Sequence, residues 1–498
     1  MKSAESQAIL CLRFLVRVKT CSEVVVRRIS FGGGNVIQRR REQQTLWHQG
    51  LAKDIEDLWE PWMKEADRLL EDAALLESVY NAQGKRREHS RTLGRLQTPA
   101  EVALRLLILK HVRNWGYDTL EREVRANLVY RAFTRIGDGK VPDAKTLARI
   151  GQVIGPEVIR DLHERMVALA REHGVVQGRK LRVDTTVVET NIHYPTDSNL
   201  LGDGARVLTR TMKRIEKQAG GLKKKIRDRM RTVKKRVVAI ALAARQVGPE
   251  REERHRRHYA DLLTVTRRIL NQAKGVLGEV ERLPRPRRRQ LRPLTERLVT
   301  MADRVRQVVK QTRARIFEGI TRFPGKVVSV FEPHTEIIRK GKLSKPTEFG
   351  NLVEVQEAEN QIITNYRVFA ERPSDQELLV PAVEEHQRLF VRVPRVVAAD
   401  AGFYSHANEK KVQEMGVSWV SVPNRSTHSE ERRKLQKRRW FRAAQKSGCE
   451  GRISVLKRRH GLNRCRYPGF SGMERWVGLG VIADNLIQIG TRLAEQQA

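Results

Sequence analysis

The feature that most restricts the fold is a change of hydrophobic period that happens twice. Residues 181–190, LRVDTTVVET, are dense in Val, Thr and Leu and alternate as a strand does. From about Gly204 to Arg322 the apolar residues fall three and four apart, as on helices. After Pro324 strand-like runs return in KVVSVFEP, TEIIRKGK, LVEVQEA and IITNYRVFA. A helix is expected over 374–391, opened by Ser374 with Asp375 and Glu377 in its first turn. RVVAAD then reads as a strand covered on both faces, SHANEKKVQEM as a helix, VSWVSVP as a strand, and 440–459 and 475–495 as closing helices. With the middle helical stretch removed, the order is strand, antiparallel strands, helix, strand, helix, strand, helix, an α/β layer architecture.

The interrupting stretch is also where the charge lies. The 498-residue chain has 97 Lys and Arg against 58 Asp and Glu, a net +39, and residues 205–322 alone hold 35 against 11, an excess of 24. Such a field attracts polyanions, and Lys and Arg that neutralise phosphates release counterions. The stretches on either side of RLPRPRRRQLRP are read as two long antiparallel helices, a basic hairpin, with the three prolines as the turn. No apolar run approaches the roughly 20 residues that span a bilayer, and no amphipathic anchor or lipidation motif is present. The four cysteines, Cys11, Cys21, Cys449 and Cys465, form no CxxC pair, which fits a reducing cytosol.

Residues 43–175 carry a helical pattern throughout. Thr98-Pro99-Ala100-Glu101 reads as one helix start and Asp143 in VPDAKTLARI as another. Short helices joined by Gly-containing turns are compatible with a DNA-binding module and equally with a packing bundle. AILCLRFLVRV near the N-terminus is broken by Arg13 and Arg17, so it is no signal peptide.

Three acids stand at places where chemistry gathers. Asp184 lies within the first strand, opposite in facing to Val183 and Val187; Asp400 ends the apolar run RVVAAD, where ligands collect at the carboxyl ends of parallel strands. Glu450 opens a helix, and Lys457 lies two turns along the same face. Individually each has an ordinary reading: a turn-capping Asp, a helix cap, a solvated surface pair. Ser405 is the better cap for SHANEKKVQEM, which leaves Asp400 without that duty. Carboxylates so arranged suit two hard divalent cations, which drive in-line attack on phosphodiesters.

RVDTTVVETNIHYPTDSNLL, VAADAGFYS and EGRISVLKRRHGLNRCRY, with ERWVGLGVIADNL after them, resemble the DDE transposases of bacterial insertion sequences, closest to the ISNCY-type group. LRLLILKHVRNWGYDTLEREVRANLVYRAFTRI resembles their N-terminal domain, and the likeness spans roughly residues 40–495. The resemblance implies an RNase H-like catalytic core. It makes Asp184, Asp400 and Glu450 the metal-binding triad for Mg²⁺, with Mn²⁺ as a substitute, and Lys457 the DNA-contacting residue of the family's glutamate–lysine signature. Arg458 and Arg464 flank that helix as further DNA contacts. Ala443 and Lys446 stand where relatives carry Tyr and Arg, a departure that touches the end contact more than the metal site. Glu474 is a rival third acid, ranked lower because it opens an apolar helix. His193, Asp197 and Glu189 are weaker candidates for the cleft wall, and Trp440, Trp476 and Tyr467 are read as core aromatics, one of which could stack on an unpaired base.

The expected layout is therefore a leader without fixed structure (1–40), a helical DNA-binding domain (41–178), a catalytic domain in two pieces (179–203 and 323–498) and the basic insertion (204–322). The expected partners are double-stranded DNA, as terminal inverted repeats and target, and further copies of the chain, in the cytoplasm at the nucleoid. A catalytically silent DNA-binding protein, a nuclease that cuts without joining and a basic architectural protein are the alternatives.

Overall fold

The computed structural model describes residues 36–40, 55, 57–85, 91–92, 96–223, 225–339, 346–446 and 449–497. Among the described residues seven helices come first: α1 (Pro61–Leu69), α2 (Ala73–Gly84), α3 (Ala100–Val112), α4 (Tyr117–Ala126), α5 (Leu128–Phe133), α6 (Ala144–Val153) and α7 (Pro156–Glu172). Asp143 caps α6 as expected, its Oδ1 accepting the Thr146 N–H at 2.7 Å. Thr98 does not cap α3: Pro99 holds the cap position and no side chain serves it. Residues 1–35 lie outside the described residues, so most of the leader expectation does too. Its last five residues do not fit that expectation. Ile37 is fully buried, and the backbone of 36–39 bonds to Arg91, Gln97, Ala100 and Glu101.

The α/β unit begins with β1 (Lys180–Thr190). Then come α8 (Asp197–Ala219), α9 (Met230–Arg245), α10 (Arg251–Glu281) and α11 (Arg285–Phe317). The insertion is thus four helices rather than a hairpin of two, and it starts at Asp197, ahead of the expected 204. Gly220, in the left-handed conformation (φ 78°), ends α8. Pro284 caps α11, while Pro293 lies inside it, so the proline-rich stretch is mostly helix and the turn is confined to its first residues. The bundle has its own apolar core, built on Leu208, Met212, Leu262, Ile269, Leu298 and Val305. KVVSVFEP, expected as a strand, instead packs on that bundle: Val330 joins its core and the Val327 N–H donates to Gln311 Oε1 at 2.9 Å. Buried Asp197, at the start of α8, accepts from Gln311 Nε2 and pairs with Arg315 of α11, both at 3.1 Å, so the two ends of the insertion are clasped.

After the bundle come β2 (Glu336–Arg339), β3 (Thr347–Glu357), β4 (Ile363–Val368), α12 (Leu379–Phe390), β5 (Val396–Ala399), α13 (His406–Glu414), β6 (Trp419–Ser421), α14 (Glu430–Lys437), α15 (Arg439–Lys446), α16 (Cys449–Arg459), β7 (Arg464–Cys465) and α17 (Phe470–Gln497). The sheet runs β2–β3–β1–β5–β6; β4 also pairs with β3 and β7 with β1. β1 is antiparallel to β3 and parallel to β5, with Val183 opposite Val355's neighbour Gln356 on one side and opposite Ala399 on the other. β5 lies between β1 and β6, buried as its unbroken apolar run requires. One face of the sheet carries Leu181, Val183, Val383 and Val397; the other carries Val188, Val355, Leu456 and Trp476.

Gly350 sits directly across from Glu189, and a Cβ there would run into the Val188 carbonyl oxygen, with Glu189 Cα 2.8 Å away. Backbone cannot yield as a side-chain tip can. Gly350→Ala should therefore destabilise by about 1–3 kcal/mol, read as a lower urea midpoint.

α17 belongs to two cores at once. Leu479, Ile482, Leu486 and Ile489 pack with the N-terminal helices, while Met473, Trp476, Val477 and Val481 pack under the sheet. At this junction Lys110 of α3 is buried over three rings, 5.0 Å from Tyr117, 4.9 Å from Tyr467 and 4.7 Å from Trp476, with no carboxylate among its described ion pairs. Burial, helped by the Arg466 charge, lowers its pKa from 10.5 to about 7. The unfolded chain keeps that proton until near 10.5, so folding sheds a proton between these values and stability rises with pH across the window. From pH 7 to about 8.5, below the range where the buried cysteines begin to oppose it, the urea midpoint of wild type should climb. Lys110→Met should flatten that climb.

Candidate active site

β1 and β5 bring two of the acids together through register alone. Val183 is paired with Ala399 in parallel, so Asp184 and Asp400 are the next residues on each strand. Asp184 faces away from the Leu181–Val183 core, on the side occupied by α16 and α17. α16 supplies Glu450 in its first turn. The three carboxylates line one cleft of about 430 Å³, together with Glu357, Arg182 and Arg452.

The cationic groups of this cleft are committed to other acids. Arg182 pairs with buried Glu357 at 2.8 Å, and Arg452 pairs with Asp484 of α17 at 3.0 Å and donates to Gln361 at 2.9 Å. His460 adds a 3.3 Å contact to the same Asp484 oxygen, so α16 is fastened to α17 below the site. Burial raises the Glu357 carboxyl pKa against the pull of Arg182. Burial raises the Cys449 thiol well above its ordinary value, and the nearby Glu357 and Asp184 charges add to the effect. This thiol is a packing group rather than a nucleophile.

Asp400 has a local duty after all. Its Oδ1 accepts the Ala401 N–H at 2.7 Å in the short 3₁₀ turn Ala401–Phe403, while Ser405 caps α13 through Asn408 N–H. Arg425 stands 3.7 Å away, and the Asp400 side chain remains 62 % exposed and open to a ligand. Gly402 makes room for Asp375, whose Oδ2 would be 2.9 Å from a Cβ at that position; Asp375 also accepts from Thr185 Oγ1 at 3.1 Å.

The remaining sequence candidates lie elsewhere. Lys457 is half-buried two turns along α16, outside the cleft lining, and Arg458 is exposed beside it. Arg464 pairs with Glu189 at 3.2 Å at the far end of β1, away from the acids. His193 meets Asp203 and Asp197 clasps the insertion, so neither reaches the cleft wall. Glu474 contacts Arg160 of α7 at 3.8 Å and does not line the cleft. Glu357, Arg182 and Arg452 are site residues that the sequence reading passed over.

The donor set suits a hard divalent cation: three carboxylates on a polar cleft, with no soft ligand available but a buried thiol. Among the described residues, however, no group of three His, Cys, Asp or Glu side chains is drawn together as a finished ion site.

Two family models match the chain. The Transposase DDE domain covers residues 353–486, from β3 into α17, and includes Asp400 and Glu450. The Transposase domain DUF772 covers residues 62–152, helices α1 to α6. The chain carries two domains of transposase families. The DDE match begins downstream of the four-helix insertion, so Asp184 on β1 falls outside it. No curated protein and no solved structure matches the chain. None of its described helices is long and apolar enough to cross a membrane.

Proposed function

We propose that the cleft between β1, β5 and α16 cleaves DNA at the ends of an insertion sequence and joins the freed ends to target DNA. The observation that carries this reading is that Asp184, Asp400 and Glu450, far apart in a chain of this family, line one cleft. The strand order β4–β3–β1–β5–β6, three antiparallel strands followed by two parallel ones, supports an RNase H-like core. ISNCY-type ancestry rests on the motif resemblance alone.

Asp184, Asp400 and Glu450 would hold Mg²⁺, or Mn²⁺ in its place, and the bound ions would supply an activated oxygen nucleophile and stabilisation of the leaving oxygen. This chain's own groups do the positioning. The central strands fix the two aspartates, and Asp484 through Arg452 holds the helix bearing Glu450. Lys457 and Arg458 on that helix serve DNA phosphates beside the cleft. Arg464, engaged with Glu189 at the other end of β1, serves a more distant part of the duplex. The four-helix insertion, within residues 205–322 that carry an excess of 24 positive charges, binds backbone without reading sequence. Terminal repeats and target DNA are the partners, two copies or more pair the ends, and the reaction takes place on the nucleoid in the cytoplasm.

The test is incubation of the full chain and Mg²⁺ with DNA carrying the sequences that flank its gene, read as nicked ends and as ends joined to target. Cleavage with joining supports the proposal. Cleavage without joining makes the chain a nuclease, and binding with neither product, in Mn²⁺ as well, makes it a silent DNA-binding protein.

A further inference from the structure

Beside the acid cleft lies a second cavity of a different character. It has a volume of about 560 Å³ and is walled by Trp419 of β6, Trp440 and Ala443 of α15, and Leu181 and Val396 at the starts of β1 and β5. The two indoles meet edge to face, with centroids 4.7 Å apart. Among the described residues the buried Trp440 Nε1–H has no hydrogen-bond partner. Four cations, Arg179, Lys180, Arg395 and the Glu357-paired Arg182, stand around this apolar wall. Arg182, Ala398 and Ala444 line both this cavity and the acid cleft, so the two are immediate neighbours. α15 is held over both by Gln445, which donates to the Ala399 carbonyl at 3.1 Å, and by Ser421 Oγ, which donates to the Phe441 carbonyl at 3.0 Å.

We infer that this tryptophan pocket takes an unpaired nucleobase of the DNA strand whose phosphate lies at the acids. The inference rests on the DNA-processing reading of the neighbouring cleft. A pair of indoles offers a stacking surface that every base can use, and the cations beside it match the phosphates on either side of that base. A base in a duplex has both faces occupied by its neighbours, so only an extruded or single-stranded one fits. An uncharged apolar metabolite would have no use for four cations at the rim, and a free anion would have none for two indoles. The buried Trp440 N–H, without a partner among the described residues, would donate to a base carbonyl once the wall adjusts to its guest.

The probes are a single-stranded dT12 and a 12-mer of the same phosphates with abasic sugars, each titrated into the full-length chain. Stacking of one base predicts that wild type prefers dT12 by about tenfold. The ratio should fall toward one in Trp440→Ala and in Ala443→Leu, which fills the pocket from an exposed helix position and leaves both indoles in place. Should Trp440→Ala fail to fold by circular dichroism, Ala443→Leu decides alone. A wild-type ratio near one, or variants that keep the wild-type ratio, would overturn the pocket. End cleavage measured on the same preparations separates the two ideas. A chain that cuts and joins without base preference loses only the pocket. One that shows the preference, loses it in the variants and cuts nothing keeps the pocket and loses the transposition reading.

Discussion

Asp184→Asn, Asp400→Asn and Glu450→Gln should each lower end cleavage and joining by at least about a hundredfold while leaving the chain folded and bound to DNA. Each substitution keeps the side chain's shape and removes its charge, so packing around the cleft is preserved. DNA retention rests on the basic surface, whose excess of 24 charges between residues 205 and 322 is untouched. Glu474→Gln is the informative companion, because that carboxyl, raised in pKa by burial, faces Arg160 outside the cleft. It should cut and join like wild type. A dead Glu474→Gln beside an active Glu450→Gln would transfer the third acid from α16 to α17. The assay is a gel separation of nicked and joined products, with a mobility shift on the same samples to show that binding persists.

The largest expected loss of stability is at Asp484. Its carboxylate is 1 % exposed and meets Arg452 at 3.0 Å and His460 at 3.3 Å in a pocket closed by α16 and α17. Asp484→Asn keeps the volume but leaves the buried guanidinium without its counter-charge, a change that typically costs about 3–5 kcal/mol. The urea midpoint should fall accordingly. The double variant Asp484→Asn with Arg452→Met should recover part of that loss, because no uncompensated charge is left inside. Cleavage should fall in Asp484→Asn as well, since the helix it fastens carries Glu450. Unchanged stability in Asp484→Asn would show that the pair is not what holds α16 down.

Much of this arrangement is legible in the sequence. The apolar run ending at Asp400 belongs to a strand buried on both faces, and the alternation around Asp184 does set its side chain opposite to Val183. Caps at Asp143 and Ser405 lie where the side chains predicted them, while Ser374, read as the helix start, forms a capping box with Glu377 on a short 3₁₀ turn ahead of α12. What escaped depended on partners distant in sequence or on punctuation given the wrong weight. Gly248-Pro249 breaks the basic stretch between α9 and α10, yet the conspicuous prolines near 284 drew the turn to themselves. KVVSVFEP has a strand's composition, but it finds a helical bundle to lie on rather than an edge to pair with. Arg182 and Glu357 are 175 residues apart, and nothing local to either announces the pair. Trp440 is already a stacking candidate in the sequence, but its meeting with Trp419, on a strand, shows only when the chain folds.

The clasp of Asp197 on Gln311 and Arg315 also bears on how this chain assembles. β1 must wait for β3, and more than 150 residues separate the halves of that ladder. Synthesis delivers residues at about 5–20 per second, so the strand bearing Asp184 has no partner for several seconds. An open coil of that length would make the eventual pairing a slow search. A bundle that condenses early, with its first and last helices pinned at the root, shortens the effective loop to residues 191–196 and 316–346 outside the clasp. The clasp thus predicts that the insertion eases closure of the interrupted sheet. A chain with the clasp cut by Asp197→Ala should refold more slowly than its loss of stability alone accounts for.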